Sequence, residues 1–424
     1  MKKIIISALF VLPLLASAQT QTLTLDQCRE LAVKNNIKMR TATDAVRQAE
    51  EDKKDAFTSY FPTVSGSFNW FNARKGLVSM EMAPGAEMSL LKNGYIGGIT
   101  AMQPIFAGGQ IVNGNRLAQV GVDAARQQTR LSENEIVETV EQYYWQVINL
   151  NEKLHTIASV DTLLMHVEAD VQAAVDAGVT RRNDLLQVQL RRNELQATRF
   201  NLVNALSLCH SLLAQYLGMD GQPIEVVADI DPNILPSSPE SFITDHRDAL
   251  DCLPEARLLD MNVKAENLKV KMAVGQNLPT VAIGGGWLVD NLMNKSNGNL
   301  AVMTTVSVPL SGWWGGSHKI RKSKIALASA QEQREDSRQL LLIRMQDAAN
   351  NLRNSYNLLG VAKLSIDQSA ENLRLNRDYY EAGTGTMTDL LDAQQLFQQS
   401  RDSYIEAWCN YRLDQRKYLI ATGR

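Results

Sequence analysis

The sequence is poor in aromatic residues, at 6%, which argues against one bulky globular core. Its cysteines are few and single: Cys28, Cys209, Cys252 and Cys409 lie far apart and none forms a CxxC. They read as buried small hydrophobes, although an oxidising compartment would also permit disulfides whose partners the sequence does not assign. The five histidines, His155, His166, His210, His246 and His318, show no ligand spacing and read as structural or surface residues. There is no Ser/His/Asp set, paired-carboxylate site or phosphate loop, so neither an enzyme nor a cofactor is indicated. Like charges do not cluster; net charge is -3 with 21% charged residues of both signs interspersed, which argues against nucleic acid as a partner. After residue 18 no apolar run approaches 18 residues, and a membrane-spanning helix is excluded. Exported chains without one are soluble, or are outer-membrane barrels with a much weaker strand signal.

Export is indicated by residues 1–18. Lys2 and Lys3 form the positive end, Ile4 to Leu15 the apolar run, and Ala16-Ser17-Ala18 the small-residue cleavage site of a signal peptide. Position 19 is Gln rather than Cys, so a lipid anchor on the mature end is not expected.

Proline and glycine are missing where their absence matters most. From His318 to about Glu381 there is no proline and one glycine, Gly360. That is one helix of roughly 65 residues, near 100 Å long, and it needs a coiled-coil, membrane or repeat explanation. It follows a Gly/Trp turn, Ser311 to Gly316, and breaks at Gly383-Thr384-Gly385 before Asp389-Leu390-Leu391-Asp392. An earlier stretch does the same. Gln103-Pro104-Ile105-Phe106-Ala107-Gly108-Gly109 leads into a helical run to about Asp176, broken at Gly178 before Asp184-Leu185-Leu186. Pro104 to Gly178 and Pro309 to Gly383 are both 74 positions; Gly178 to Asp184 and Gly383 to Asp389 are both 6. Matched landmarks at one constant offset mark an internal duplication.

In chain order, Thr24-Leu25-Asp26-Gln27 is a capping box opening a helix to about Thr58. Phe61-Pro62 ends it. The strand Thr63 to Asn72 puts Val64, Gly66, Phe68 and Trp70 on one face and Thr63, Ser65, Ser67 and Asn69 on the other, the period-two pattern of a membrane barrel strand. A loop, Ala73 to Gly94, carries Met80, Met82 and Met88, which read as flexible apolar filling or as soft-metal ligands. A return strand, Tyr95 to Pro104, follows. The shorter helix after Gly178 ends at Gly218-Met219-Asp220-Gly221, and a connector with a short strand at Glu225 to Ala228 runs to about Asp245. The second copy repeats the order. A helix at Pro254–Gly275 precedes Leu278-Pro279, a strand with Val281, Ile283, Gly285 and Trp287 on one face, and a return strand with Leu300, Val302, Val306 and Val308 on one side. The divisions expected are a signal peptide (1–18), a first repeat (19–218, strand pair 62–104), a connector (219–246) and a second repeat (247–424, strand pair 279–309).

Four transmembrane-type strands cannot close a barrel, and an open edge cannot sit in hydrocarbon. Two chains would supply eight strands and three would supply twelve; a water-filled lumen favours three or more.

The duplicated order resembles the TolC family of outer-membrane factors over essentially the whole mature chain. Phe61-Pro62 and Leu278-Pro279 enter strands, Gln103-Pro104-Ile105-Phe106-Ala107-Gly108-Gly109 and Val308-Pro309-Leu310-Ser311-Gly312 lead into long helices, and the Gly178 and Gly383 turns complete the set. The resemblance implies a mainly α fold with a small β part: long antiparallel α-hairpins forming a periplasmic coiled-coil tunnel, and four strands per chain entering a trimeric twelve-stranded outer-membrane β-barrel. It implies the exit duct of an efflux pump or type I secretion system. Its partners would be two further copies, a periplasmic adaptor, an inner-membrane pump and outer-membrane lipid.

The resemblance also assigns residues. Asp389 and Asp392 match aspartates of the periplasmic constriction, where three chains would form carboxylate rings; the competing reading is charge favouring a helix N-terminus. Asp184 and Tyr380 match members of the closing network. The basic residue expected two positions after Gly383 is absent, because Gly385 stands there, and Arg181 or Arg182 would supply the cation instead, or both are solvated surface charges. The turns at Gly178, Gly383 and Gly385 are the expected adaptor contact. From the strand pattern itself, Trp70 lies at the far end of an apolar face where an interface girdle is expected, with Trp287 in the corresponding place; Trp313 and Trp314, after the last strand, would form the periplasmic girdle or pack at the barrel–helix junction. The competing class is a non-conducting periplasmic coiled-coil protein, such as an adaptor or spacer, which the four alternating strands and the duplication disfavour.

Overall fold

The computed structural model describes residues 21–74, 78–83, 86–90, 93–221, 223–227, 235–291, 296–310 and 312–424, with backbone alone at 21, 78–83, 86–90, 312 and 313. The signal peptide lies outside the described residues. The chain divides into two units, one of Met1–Thr41, Leu131–Leu250 and Leu342–Arg424, the other of Ala42–Arg130 and Asp251–Leu341.

The first unit opens with strand β1 (Gln21–Leu23) and helix α1 (Leu25–Asn35). The capping box is formed: Gln27 donates its N–H to Thr24 Oγ1 at 3.4 Å and Thr24 donates to Gln27 Oε1 at 2.9 Å. The expected single helix to Thr58 is corrected to two, because Asn36 is extended (ψ 135) and α2 (Ile37–Thr58) starts afresh. No glycine or proline marks this break. It is made by tertiary partners: Asn35 and Asn36 donate side-chain N–H groups to the carbonyls of Leu217 and Tyr216, at 3.1 and 3.0 Å. Those carbonyls lie in the last turn of α4 (Arg182–Leu217) and would otherwise lack acceptor partners. Strand β6 (Ile224–Val226) pairs parallel with β1, which bears out the short strand in the connector. A 3₁₀ turn (Pro239–Ser241) and a short α5 (His246–Leu250) follow.

The long helices are α3 (Gln110–Asp176) and α7 (Gly312–Glu381), and α8 (Met387–Ala421) closes the chain. The few aromatics are concentrated in one core. Trp145 meets Trp408 edge-on at 5.2 Å, and Tyr144, Tyr404, Tyr411 and Tyr418 are buried beside them. The phenols of Tyr144 and Tyr411 donate to the carbonyls of Val227 and Ser237, and Thr244 donates its N–H to Tyr418 at 3.1 Å. A buried hydroxyl left unpaired costs about 1–3 kcal/mol, and these bonds avoid that cost. All four cysteines are free; Cys28, Cys209 and Cys409 are buried, whereas Cys252 is exposed, a correction to its reading as a buried hydrophobe.

The second unit holds a four-stranded antiparallel sheet in the order β2 (Thr63–Asn72), β5 (Asn93–Ala107), β7 (Thr280–Asp290) and β8 (Asn297–Ser307). The two copies meet where β5 pairs β7. The register aligns the apolar faces, with Gly66 opposite Ile99, Ile99 opposite Trp287 and Trp287 opposite Leu300. Val64, Ala101, Gly285 and Val302 form the next row. On the other face Ser65 and Thr100 share a hydrogen bond of 3.1 Å. The sheet's outer edges, β2 and β8, carry no further strand among the described residues. Strand β5 runs past Pro104 because the ladder shifts register between Pro104 and Phe106; a bulge is where a central strand tolerates a residue without an N–H.

Three expectations are corrected here. The Ala73–Gly94 segment contains a hairpin of β3 (Val78–Ala83) and β4 (Ala86–Leu90) rather than an open loop. Met80 and Met88 are opposite in that register, and the methionine side chains lie outside the described ones. The return strand starts at Asn93 and ends at Ala107. Helix α7 begins at Gly312, inside the expected Gly/Trp turn. Gly316 is buried there, where a Cβ would collide with the side-chain amide of Asn277, so the glycine serves close packing rather than a turn. Helix α6 (Pro254–Gly275) matches its expected bounds. Its last residue packs against Gly108, whose φ of +58 turns the chain from β5 into α3.

Candidate functional site

Both helix-tip turns fall in the first unit. Helix α3 ends in a left-handed Gly178 (φ +71), with Gly178 donating to Val175 O at 2.9 Å and Val179 to Ala174 O at 2.8 Å. This closure satisfies carbonyls that the helix end leaves open. Thr180 Oγ1 donates to Asp184 Oδ2 at 2.8 Å. Arg181 occupies the N-cap of α4 without a side-chain cap.

The second turn repeats the frame with different chemistry. Gly383 (φ +73) donates to Tyr380 O at 3.0 Å, and the N–H groups of Thr384 and Gly385 both reach Tyr379 O at 2.9 Å. Thr386 caps α8 in a complete box: Asp389 donates its N–H to Thr386 Oγ1 at 3.2 Å, and its Oδ2 accepts the Thr386 N–H at 3.2 Å and hydroxyl at 2.6 Å. The Thr386 hydroxyl, then its backbone N–H, hold the Asp389 carboxyl below the usual carboxylate range. Asp389 and Asp392 are both exposed, three residues apart on one helix face. The cap therefore uses one oxygen of Asp389 and leaves the charge facing water.

An apolar cluster lies beneath the turns and joins them. Val171 of α3, Leu185 and Val188 of α4, and Met387 and Leu390 of α8 are buried together, with Tyr380 packed at the edge. Burial, then the negative charges of Asp184 and Asp170, push the Tyr380 phenol above its ordinary pKa. Tyr380 and Asp184, expected in one network, are neighbours. Thr388 Oγ1 reaches Gln187 Oε1 at 3.4 Å across the two copies.

The two tips carry different exposed charges. On the second, Arg374 and Arg377 are paired with Glu371, Asp378 and Glu381, which leaves Asp389 and Asp392 as its outward charges. On the first, Arg181 and Arg182 are exposed and make no ion pair among the described residues. Gly385 cannot take a larger residue freely, since a Cβ there would come within 3.1 Å of Tyr379 Cβ and 3.2 Å of the Tyr380 nitrogen.

Local sequence did not mark the clamp above the tips. Arg192 donates to Asp161 at 3.1 Å and to Glu168 at 2.6 Å, and Arg191 reaches Gln394 and Gln398 at 3.2 Å each. Arg191 thus ties α4 to α8, and Arg192 ties α4 to α3. The adjacent pair of arginines about two turns after Asp184 was the one available signal.

In the second unit the apolar sheet face is exposed in the single chain: Trp70 is 67% exposed, Val302 79% and Trp287 53%. Trp314 is exposed at the start of α7, and the Trp313 side chain lies outside the described ones.

Residues 253–417 match the family model of the outer membrane efflux protein. The outer membrane efflux protein BepC of Brucella suis biovar 1 (strain 1330) is 23% identical over 413 residues, covering 93% of this chain and 84% of BepC. The structure of CusC, described in terms of transmembrane channel formation, superposes with a TM-score of 0.79 at 16% identity, over 94% of this chain and 92% of CusC. The outer membrane protein VceC of Vibrio cholerae superposes with a TM-score of 0.77 at 13% identity, over 94% and 96% of the two chains.

Proposed function

We propose that this chain, a TolC-family outer-membrane factor and outer-membrane efflux channel with a periplasmic tunnel, conducts as a homotrimer gated by its helix-tip turns. The observation that carries the trimer is the four-stranded sheet with an exposed apolar face and two open edges. Edge strands in hydrocarbon must pair, and β8 of one copy against β2 of the next would join three sheets into twelve strands around a water-filled lumen. Trp70, Trp287, Trp313 and Trp314 would be the interface aromatics of that barrel.

At the periplasmic end, three copies would bring Asp389 and Asp392 into two rings of carboxylates. Such rings attract cations and raise their local concentration at a constriction. Asp184 from the first-copy turn and Tyr380 from the end of α7 would support the ring, and Arg181 or Arg182 would supply the closing cation that Gly385 lacks. The turns at Gly178, Gly383 and Gly385 would meet a periplasmic adaptor, which couples the duct to an inner-membrane pump for small molecules or proteins.

Single-channel conductance of the purified protein in planar bilayers tests this, with and without Asp389→Ala/Asp392→Ala. Cation-selective openings are expected in the wild type, with selectivity reduced in the variant. A monodisperse monomer in detergent that never conducts would sink the channel reading. Conductance with unchanged selectivity would remove the two aspartates from the aperture and leave the channel.

A further inference from the structure

A cleft of about 550 Å³ opens between α1, the middle of α3 and α8 in the first unit, away from the helix tips. Its wall carries Arg29, Arg412 and Arg416 against Glu141 and Asp26, three positive charges against two negative. Glu141 is 2% exposed and is held by Arg29 (Nη2 to Oε1, 2.7 Å) and by Arg416 Nε. Arg29 also pairs with Asp26 at 2.6 Å. A buried carboxylate needs this pairing, so Arg29 and Arg416 are engaged. Arg412 has no carboxylate partner among the described residues. It lies over the rings of Trp145 and Trp408, with Cζ 5.9 and 5.1 Å from their centroids, and donates Nη1 to Gln415 at 3.2 Å.

Two N–H groups of this wall, Arg412 Nε and Trp145 Nε1, are buried without an acceptor. Trp145 is only 4% exposed. A buried donor left unpaired is costly, the more so when it is charged. Both orphans are donors, and the local charge balance is positive. What fits them is a negatively charged acceptor, and the rings of Trp145 and Trp408 with Leu25 and Leu419 offer it an apolar bed.

We propose that this cleft is a binding site for an organic oxyanion, a carboxylate on an aromatic or aliphatic body, with Arg412 as its cation and Trp145 Nε1 as its second donor. The bound carboxylate would fasten α3 to α8 at the aromatic core. The proposal stands apart from the channel reading.

The test is tryptophan fluorescence of the full-length protein in detergent, titrated with benzoate, with its neutral amide benzamide, and with inorganic phosphate; calorimetry gives the affinity independently. A saturable change with benzoate, at least tenfold weaker for benzamide, is expected. Arg412→Gln should weaken benzoate at least tenfold and Arg412→Lys by less, while Arg377→Gln, on the exposed face of α7, should leave it unchanged. Trp145→Phe should bind more weakly and keep the fold, which circular dichroism checks. Competition by phosphate supports an oxyanion locus and shows that a free inorganic ion is a second source. No saturable benzoate change in the wild type, equal binding of benzamide, or unchanged affinity in a folded Arg412→Lys and Trp145→Phe pair would overturn the proposal.

Discussion

The carbonyl oxygen of Tyr379 accepts the N–H of Gly385 at 2.9 Å, and a Cβ added to Gly385 would stand 3.1 Å from Tyr379 Cβ. The turn is closed so tightly that a side chain at position 385 would crowd Tyr379 and the Tyr380 nitrogen. The φ of Gly385 does not lie in the left-handed region, unlike that of Gly383. The constraint is contact, not torsion, and contact can relax.

A side chain at 385 should therefore be tolerated at a cost. Gly385→Ala is expected to destabilise the tip by about 1 kcal/mol, the ordinary cost of mild overpacking. Gly385→Arg carries the same steric cost plus a cation. If Arg181 and Arg182 close the aperture, Arg181→Ala/Arg182→Ala should raise resting conductance, and adding Gly385→Arg should lower it again. A leak unchanged by the double substitution would reduce those arginines to solvated surface charges.

The two turns are capped unequally, and stability should show it. Thr386→Ala removes the hydroxyl that accepts the Asp389 N–H and donates to its carboxylate, while leaving the backbone N–H of residue 386 on Asp389 Oδ2, and should cost about 1 kcal/mol. Arg181 occupies the corresponding N-cap with no side-chain bond. Arg181→Asp should gain roughly 0.5–1 kcal/mol. Thermal melts of the detergent-solubilised protein compare the two; equal shifts of the same sign would contradict the caps.

Asp402 on α8 gives a pH dependence whose sign is fixed. Burial raises its pKa from 3.8 to about 6, against a smaller opposing pull from Lys153 and Arg401 and a small push from Glu406, and its Oδ1 is buried without a partner. The folded chain holds a proton that the unfolded chain has already lost, so stability falls as pH rises from about 4 through about 6. Asp402→Asn removes the charged form. At neutral pH the variant should be more stable by about 1–2 kcal/mol, discounted for the part of the carboxyl still in water. The gap should close below about pH 4. A variant less stable than wild type at neutral pH would mean that the ionised form is held by a partner.

The repeat carried most of what could be read in advance. Matched spacings around Gly178 and Gly383 located α3, α4, α7 and α8, because a positive-φ glycine at a helix end is a local requirement visible in one residue. The alternation of Val64, Phe68 and Trp70 located strand β2 and its apolar face, because a period of two is also a local signal. What stayed hidden depends on distant partners. Asn36 breaks a good helical sequence because α4 ends beside it. The β3–β4 hairpin does alternate, with Val78, Met80 and Met82 against Ser79 and Glu81, but its strands are only six and five residues long, and methionine is a weak strand signal. Gly312 to Gly316 resemble a turn, yet join α7 because Gly316 needs room beside Asn277. The pairing of β5 with β7 and the bonds of Arg191 to Gln394 and Gln398 cross the duplication, and those of Arg192 join α4 to α3 within the first copy; both connect residues far apart in sequence.

The sheet faces offer the sharpest contrast between a barrel and a water-soluble spacer. Val302 is 79% exposed in the single chain, in one row with Val64, Ala101 and Gly285. Ser65 is on the opposite face, bonded to Thr100. In a lipid-facing band, Val302→Arg should cost about 2–4 kcal/mol near the bilayer centre and about 0–1 near the interface. Ser65→Arg would face a water-filled lumen, where its cost is small and its effect falls on ion selectivity. Folding of both variants into lipid vesicles, followed by denaturant titration, separates these outcomes. In a soluble coiled-coil spacer an arginine on an exposed valine would be nearly neutral, because water already covers that face. A Val302→Arg variant as stable as Ser65→Arg would therefore argue that this face never meets hydrocarbon, and with it would fall the closure of β8 against β2 in a membrane barrel.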